Sequence, residues 1–331
     1  MKKIATRYFP VSVIVPMRNS ETTVIKTLQS ILKQEYPIVE IIVIDNASSD
    51  SSVRLVESLA KTEKRVPINL IRQRINQGVG TSYNVGVTKA KSDYVIFMHS
   101  DSILPSSREF MRLTEPFRED SAIVATCALA TLPGKVWSQY PFWEKCLLAK
   151  AVGRKIPGLN AKCDCHKKEE FLKIGGFDEA NFAREGNIGG EDGDLAMRLQ
   201  KVGKIVASSA TVIHLHDLRP DYTLGDWVRN RKLLARSYGR YLRYHYDDFR
   251  LGTGILLLKP FLVIASFVVR FPWNIIMLII AAIGSVPEMY LDSSSQRDRR
   301  IVLLPFVSVF LIYYETFWIV EGFLYLHKKN V

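Results

Sequence analysis

Cysteine is scarce in this chain, with four among 331 residues. Cys127, Cys146, Cys163 and Cys165 are too few and too irregularly spaced for a disulfide scaffold, and a soluble part facing the cytosol keeps them reduced. The stretch Cys163-Asp164-Cys165-His166 has no second ligand pair at zinc spacing, so it reads as a partly buried strand. The N-terminus lacks a signal-peptide core, because Met1-Lys2-Lys3 leads only to the short run Val11 to Val15. Export of the N-terminal part is therefore not expected. No internal repeat or low-complexity tract interrupts the first 250 residues. The third glycine of a dinucleotide fingerprint is missing after Gly78-Val79-Gly80, where Tyr83 stands instead, which excludes a Rossmann cofactor site. Acid is outnumbered by base, giving a net charge of +12. Such a balance suits anionic headgroups, phosphorylated substrates or nucleic acid.

Long apolar runs are present, and all lie near the C-terminus. Leu251 to Val269, Phe271 to Tyr290 and Ile301 to Leu326 are each close to the roughly 20 residues that a bilayer requires. They predict membrane attachment, which favours lipid or phosphorylated partners over nucleic acid. Lys259-Pro260 interrupts the first run, so it is expected to be interfacial, re-entrant or spanning, while the other two span. Glu315 and Glu321 are costly in lipid. They are expected to face protein, pairing with Lys259 or Arg270, or to lie near the interface. Upstream, strand and helix patterns alternate: Val11 to Val15 extended, Glu21 to Lys33 helical, Glu40 to Ile44 extended, Val53 to Leu59 helical, Ile68 to Ile71 extended, Thr81 to Ala90 helical and Tyr94 to Phe97 extended. This order predicts an α/β fold with a mostly parallel sheet, flanking helices and ligands at the carboxyl ends of the strands.

Two acidic motifs carry the chemistry. Met98-His99-Ser100-Asp101-Ser102 follows the run Tyr94 to Phe97, and a carboxylate there can meet a metal-bound diphosphate. Gly189-Gly190-Glu191-Asp192-Gly193-Asp194-Leu195 opens a helical pattern, and a carboxylate at that mouth can take a proton. The bland reading of Glu191, Asp192 and Asp194 is first-turn acids of a helix containing Leu195, Leu199 and Val202, and both readings hold together. Asp194 and Arg198 read as structural. Asp45 ends the second strand and is a fixed acceptor for a base edge or ribose. Its bland role is to cap the turn Asn46 to Ser49, but Asp50 already supplies a cap for the next helix. In Ile213-His214-Leu215-His216, alternation puts both histidines on one face of a strand.

Taken together, Val13-Ile14-Val15-Pro16 with Arg18-Asn19-Ser20-Glu21, Ile44-Asp45-Asn46-Ala47-Ser48-Ser49-Asp50, Asn76-Gln77-Gly78, Asn84-Val85-Gly86, the Asp101 motif, Gly175-Gly176-Phe177-Asp178-Glu179 and Glu191-Asp192 resemble the family 2 glycosyltransferases of GT-A fold. The similarity runs in order from Val11 to His216. It implies a nucleotide-sugar donor, held by Pro16, Arg18, Asn19, Glu21, Asp45, Asn76, Gly78, Asn84, Ser100 and Asp101. It also implies Asp101 as a ligand of divalent Mn or Mg, and Asp192 as catalytic base beside Glu191. By resemblance to relatives with a histidine after their last core strand, His216 is the further metal ligand. The chain departs from the family's usual Asp-x-Asp, since His99 replaces the first carboxylate. His99 is then either a ligand or a neighbour tuning Asp101.

A base narrows the acceptor, because a sugar hydroxyl must lose a proton whereas a polyprenyl phosphate is already ionised. A hydroxyl of a lipid-linked or membrane-proximal glycan is expected, with a polyprenyl-phosphate sugar synthase as the second reading and a non-catalytic nucleotide-sugar or glycan binder as the third. Arg229, Lys232, Arg236, Arg240 and Arg243 form a basic stripe on the helix Trp227 to Tyr246. That stripe suits anionic membrane lipids or a lipid pyrophosphate. The expected organisation is a cytoplasmic catalytic domain over 1–247, with the basic interfacial helix at about 223–246 as its last element, and a multi-pass domain in the cell membrane over 248–331.

Overall fold

The computed structural model describes residues 8–183, 190–215, 221–245, 258, 261, 264–283 and 298–324. In chain order the regular elements are β1 (Val11–Met17), α1 (Val24–Leu32), β2 (Ile38–Asp45), α2 (Ser52–Thr62), β3 (Ile68–Arg72), α3 (Val79–Lys89), β4 (Tyr94–Phe97), β5 (Ser102–Ile103), α4 (Glu109–Thr114), α5 (Pro116–Glu119), β6 (Ile123–Thr131), α6 (Gly134–Trp137), α7 (Phe142–Leu148), β7 (Lys155–Ile156), β8 (Asp164–Lys167), α8 (Lys168–Lys173), α9 (Glu191–Gln200), β9 (Lys204–His214) and α10 (Leu224–Tyr244). Two further helices, Trp273–Ile283 and Leu304–Leu324, follow. The chain divides into two compact units. The first holds 1–136, 153–187 and 191–218, and the second 137–152, 188–190 and 219–331.

In the first unit the strands lie side by side in the order β3-β2-β1-β4-β8-β6-β9-β5, with β7 added to β6. The pairs β1/β2, β1/β4, β2/β3 and β6/β9 are parallel, as the alternating pattern predicts, while β8 enters antiparallel between β4 and β6. Alternation along β1 sends Val11, Val13 and Val15 into one core with Leu28, Ile31 and Phe110, and Ile14 into another with Tyr83, Val87 and Phe97. Helix α3 lies close on β1 because residue 86 is glycine: a Cβ there would stand 2.3 Å from Ile14 Cγ2. Buried Glu40 ties the sheet together, accepting from Ser12 Oγ, the Lys91 backbone and Asn69 Nδ2. All four cysteines are buried free thiols, and Asp164, Cys165 and His166 form the interior strand expected of them.

The second unit is organised by α10 against the helix Leu304–Leu324. Two glycines bring the backbones into contact: a Cβ on Gly239 would meet the Ile319 carbonyl at 2.1 Å, and one on Gly322 the Arg236 carbonyl at 2.2 Å. Arg231 pairs with Glu315 and Arg236 with Glu321, while Lys232 Nζ sits 3.7 Å over the Trp318 ring. Arg243 donates to the Phe323 carbonyl. The two glutamates are thus matched by α10 rather than by Arg270, and Lys259 lies outside the described residues. Lys232, Arg236 and Arg243, expected to face headgroups, are turned toward a neighbouring helix instead, where the Trp318 indole, the Glu321 carboxylate and the Phe323 carbonyl are their partners. Among the described residues, 299–324 is the one helical stretch long and apolar enough to cross a membrane, with a mean hydropathy of 1.7. Most of 251–263 and all of 284–297 lie outside the described residues.

Candidate active site

The carboxyl ends of β1, β2 and β4 and the start of α9 surround a cavity of ≈ 290 Å³. Pro16, Arg18, Asn76, Ser100, Asp101, Glu191 and Asp192 all line it, so residues from the expected donor, metal and base groups share one cleft. Asn19, Glu21, Asp45, Gly78 and Asn84 are not in that lining. Instead they brace it. Asn19 Oδ1 accepts from the Ser49 backbone, and Glu21 Oε2 accepts from that of Ser51. Asp45, only 4% exposed, accepts from the Ser48 backbone, which is the turn-capping role. Asn84 clasps both backbone groups of Phe177 and reaches Glu179, and Gly78 opens α3 with φ 88°.

The Asp101 segment is held from several directions. Thr27 Oγ1 donates to the Ser100 carbonyl at 2.8 Å, and the Ser100 and Ser20 hydroxyls are 2.8 Å apart. The Asp101 carbonyl accepts from Leu215 N, and β5 pairs with β9 so that Ser102 faces His214. That pairing brings His214 Nε2 to 3.1 Å from Asp101 Oδ2, while His99 Nδ1 stands 4.0 Å from Oδ1. One donor atom each from His99, Asp101 and His214 lie within 4.8 Å of one another. One carboxylate and two imidazoles fit a divalent ion that completes its coordination with phosphate oxygens and water. His216 lies outside the described residues, so of the two histidines on that strand face it is His214 that the structure places at Asp101. Burial holds the His99 imidazole down at about 3 against the pull of Asp101, so the ring is neutral.

Glu191 and Asp192, which line the same cavity, lie half-buried in the first turn of α9. Burial pushes both carboxyls above their usual range. The negative charge of Asp192 adds to the rise at Glu191, whereas Lys162 pulls Asp192 back down. Asp192 therefore ionises first, and Glu191 keeps its proton longer. Arg198 is structural, as expected: it binds Asp194 and donates to the carbonyls of Ile174 and Gly176, fixing the loop that carries Phe177.

Sequence reasoning missed several lining residues, among them Asn46, Tyr83 and Ala161. Asn46 links Asn76 Oδ1 to its own Nδ2 and accepts from Gln77 N, a bond pattern no motif advertises. Ala161 sits at φ 54°, an unusual conformation for a residue with a Cβ. It is pinned there by Asp164 Oδ2 on its N–H and Tyr83 Oη on its carbonyl. Asp164 is itself 1% exposed, and burial raises its carboxyl to about 7.

Residues 12–202 match the family described as glycosyl transferase family 2. An "uncharacterized glycosyltransferase" of Haemophilus influenzae is 33% identical over 98 residues, covering 30% of this chain and 38% of that protein. The GalNAc(5)-diNAcBac-PP-undecaprenol beta-1,3-glucosyltransferase of Campylobacter jejuni is 35% identical over 95 residues, covering 29% of this chain and 30% of its own length. The matches thus span well under half of these curated relatives. A mannosyltransferase of Pyrobaculum calidifontis, solved in complex with GDP-Man and Mn²⁺, shares the fold with a TM-score of 0.63 at 17% identity, covering 96% of this chain and 88% of that one.

Proposed function

Because the chain belongs to glycosyl transferase family 2, we propose that it is a membrane-bound, metal-assisted, inverting glycosyltransferase that moves a sugar from a nucleotide-diphosphate sugar to a hydroxyl of a lipid-linked or membrane-proximal glycan. The observation that carries this reading is that Asp101 and His99, from the end of β4, and Asp192 and Glu191, from the start of α9, line the same cavity. A transferase needs leaving-group stabilisation and a base at opposite ends of one substrate-sized space.

Asp101, His99 and His214 are the groups that would hold Mn²⁺ or Mg²⁺, which when bound neutralises charge developing on the departing diphosphate. Arg18, Asn76 and Ser100 line the donor side, with Asn19, Glu21, Asp45, Gly78 and Asn84 fixing the loops behind them. Asp192 takes the proton of the acceptor hydroxyl as that oxygen bonds to the anomeric carbon and the carbon–diphosphate bond breaks. Its pKa, raised by burial and restrained by Lys162, suits a base working near neutrality. Glu191 stays protonated longer and limits the negative charge beside the incoming hydroxyl.

A base with no other task favours a hydroxyl acceptor over an ionised lipid phosphate. The Campylobacter relative, whose name specifies an undecaprenol-linked acceptor, supports a lipid-linked glycan. The apolar helix Leu304–Leu324, with Phe306, Phe317 and Leu324 exposed, supports membrane anchoring. Anionic lipids remain suited to the net charge, and the catalytic unit is placed on the cytoplasmic side, where the buried thiols stay reduced.

The test is a donor-hydrolysis screen on the full chain in detergent, using UDP-glucose, UDP-N-acetylglucosamine and GDP-mannose with Mn²⁺, Mg²⁺ or chelator. Turnover of one donor that needs metal and fails in Asp101→Ala supports the transferase. Nucleotide-sugar binding without turnover, even when lipid-linked acceptors are supplied, supports the non-catalytic binder instead.

A further inference from the structure

Between β7 and β8 the chain turns at the wall of the cleft under unusual restraint. Ala161 lines the cavity at φ 54°, a left-handed conformation that a residue with a Cβ keeps only where its surroundings hold it. Three side chains hold this turn. Asp164, at the start of β8, accepts through Oδ2 from the backbone N–H groups of both Asn160 and Ala161. Tyr83 Oη donates to the Ala161 carbonyl at 3.0 Å, and its ring is fixed by stacking on Phe97 and Phe177. Asn160 Oδ1 accepts from Lys162 N at 3.1 Å. Asp164 and Tyr83 are 1% and 0% exposed, so water does not compete for these bonds.

Lys162 is what the pinned turn presents next. It is half-buried and forms no ion pair among the described residues, yet its charge acts on Asp192, Asp164 and His99. Its ammonium therefore faces the cleft that holds the first and last of these. Among the described residues, the other ionisable groups coupled to Asp192 are Glu191 beside it on α9, Asp164 on β8 and Tyr83 on α3. Two are acids and the third is a neutral phenol, so Lys162 is the one cation of the group. On a loose loop a lysine swings into water and its charge is screened. On a pinned turn the charge stays where it is put.

We propose that Asp164 and Tyr83 are positioning residues for the transfer: by pinning the turn 160–162 they hold the Lys162 ammonium toward Asp192 and so keep that carboxylate ionised near neutral pH. The inference rests on the reading of Asp192 as base and adds what sets its ionisation. Asp164 serves through an oxygen that accepts, not through its charge, so asparagine can replace it and alanine cannot.

The experiment is the pH dependence of kcat for metal-dependent hydrolysis by the full chain in detergent, with whichever of UDP-glucose, UDP-N-acetylglucosamine and GDP-mannose is turned over. Lys162→Met, Lys162→Arg, Tyr83→Phe, Asp164→Ala and Asp164→Asn are compared with the wild type. Losing a cation raises the pKa of a neighbouring carboxyl, so the acid limb should move to higher pH, by about one unit in Lys162→Met. It should move in the same direction in Tyr83→Phe and Asp164→Ala, and stay in place in Lys162→Arg and Asp164→Asn. A merely structural role would lower the yield of active protein without moving the limb. An unmoved limb in Lys162→Met overturns the inference, and so does a limb that moves there but not in Tyr83→Phe and Asp164→Ala. If Asp164→Ala does not fold, Tyr83→Phe, which removes a single oxygen, decides. If none of the three donors is turned over, the Asp192 carboxyl is titrated by ¹³C NMR on aspartate-labelled protein, assigned with Asp192→Asn, and the same shifts decide. Undiminished turnover in Asp192→Asn would instead remove the reading of Asp192 as base.

Discussion

At the scale of the residue, the account places different demands on two carboxylates, Asp192 and Asp164. As the proposed base Asp192 would act only when ionised, and burial raises its pKa above the ordinary aspartate range. As pH falls through that raised value the base is lost, so the acid limb of the rate profile should lie well above the usual aspartate value of about 4. Asp192→Asn should reduce kcat by about 10²–10⁴ while donor KM stays nearly constant, because the proton acceptor is removed without loss of a donor contact. Asp164 answers to stability instead. Its folded carboxyl is raised from 3.8 to about 7, so the folded protein binds the extra proton across that window and loses stability as pH climbs through it. Asp164→Asn should flatten the decline of Tm between pH 4 and 7, and an unchanged slope would show that the carboxyl is not buried as described. The acidic motifs at Asp101 and Asp192 were legible in the sequence because their residue types declare their chemistry. The strained Ala161 was not, since nothing in Ala-Lys-Cys signals a left-handed turn held by an aspartate three positions on and a tyrosine in α3.

At the scale of the element, period-2 and period-3.6 patterns placed β1 to β4 and α1 to α3 within a few residues of their observed limits, because each buries one clear face. Cys163 to His166 was legible as a partly buried strand, but the antiparallel insertion of β8 between β4 and β6 left no trace in its short, polar Asp-Cys-His-Lys. The sheet's cohesion at β1, β2 and β3 depends on Glu40, whose acceptors meet Ser12, Asn69 and the Lys91 backbone. Glu40→Ala leaves those donors without their partner and should cost about 3 kcal/mol, a fall in Tm on the order of 6–12 °C by thermal shift. The basic stripe on α10 shows where a one-dimensional reading stops. Charge spacing identified the helix and Lys232 and Arg236, but their partners, Trp318 and Glu321, come from a helix some eighty positions away, and Arg231, outside the stripe, pairs there with Glu315. Gly239→Val should wedge α10 away from the helix Leu304–Leu324, given the 2.1 Å approach of a Cβ to Ile319. A marked loss of detergent-extracted, monodisperse protein would reveal it, and wild-type yield and Tm would contradict that contact.

At the scale of the whole molecule, two compact units divide the work that composition only hinted at. One carries the carboxylates and imidazoles around a cavity, and the other carries the long apolar helix. Membrane retention should depend on the second. The full chain should resist alkaline carbonate extraction, whereas a chain ending at 247 leaves Arg231 and Arg236 without Glu315 and Glu321 and should be recovered in aggregates or at low yield. Fold class was readable because the order of strands and helices and the run of motifs from Val11 to His216 agree with each other. The identity of the donor was not readable, because lining residues such as Asn46 and Tyr83 are brought to the cleft only in the folded chain. The central claim, inverting transfer with Asp192 as base, is tested most directly by following the anomeric configuration of newly formed product by proton NMR, with an α-linked nucleotide sugar as donor. The account predicts that the first-formed product is the β anomer and that its formation is lost in Asp192→Asn; a first-formed α anomer, or undiminished β product in that variant, would contradict it.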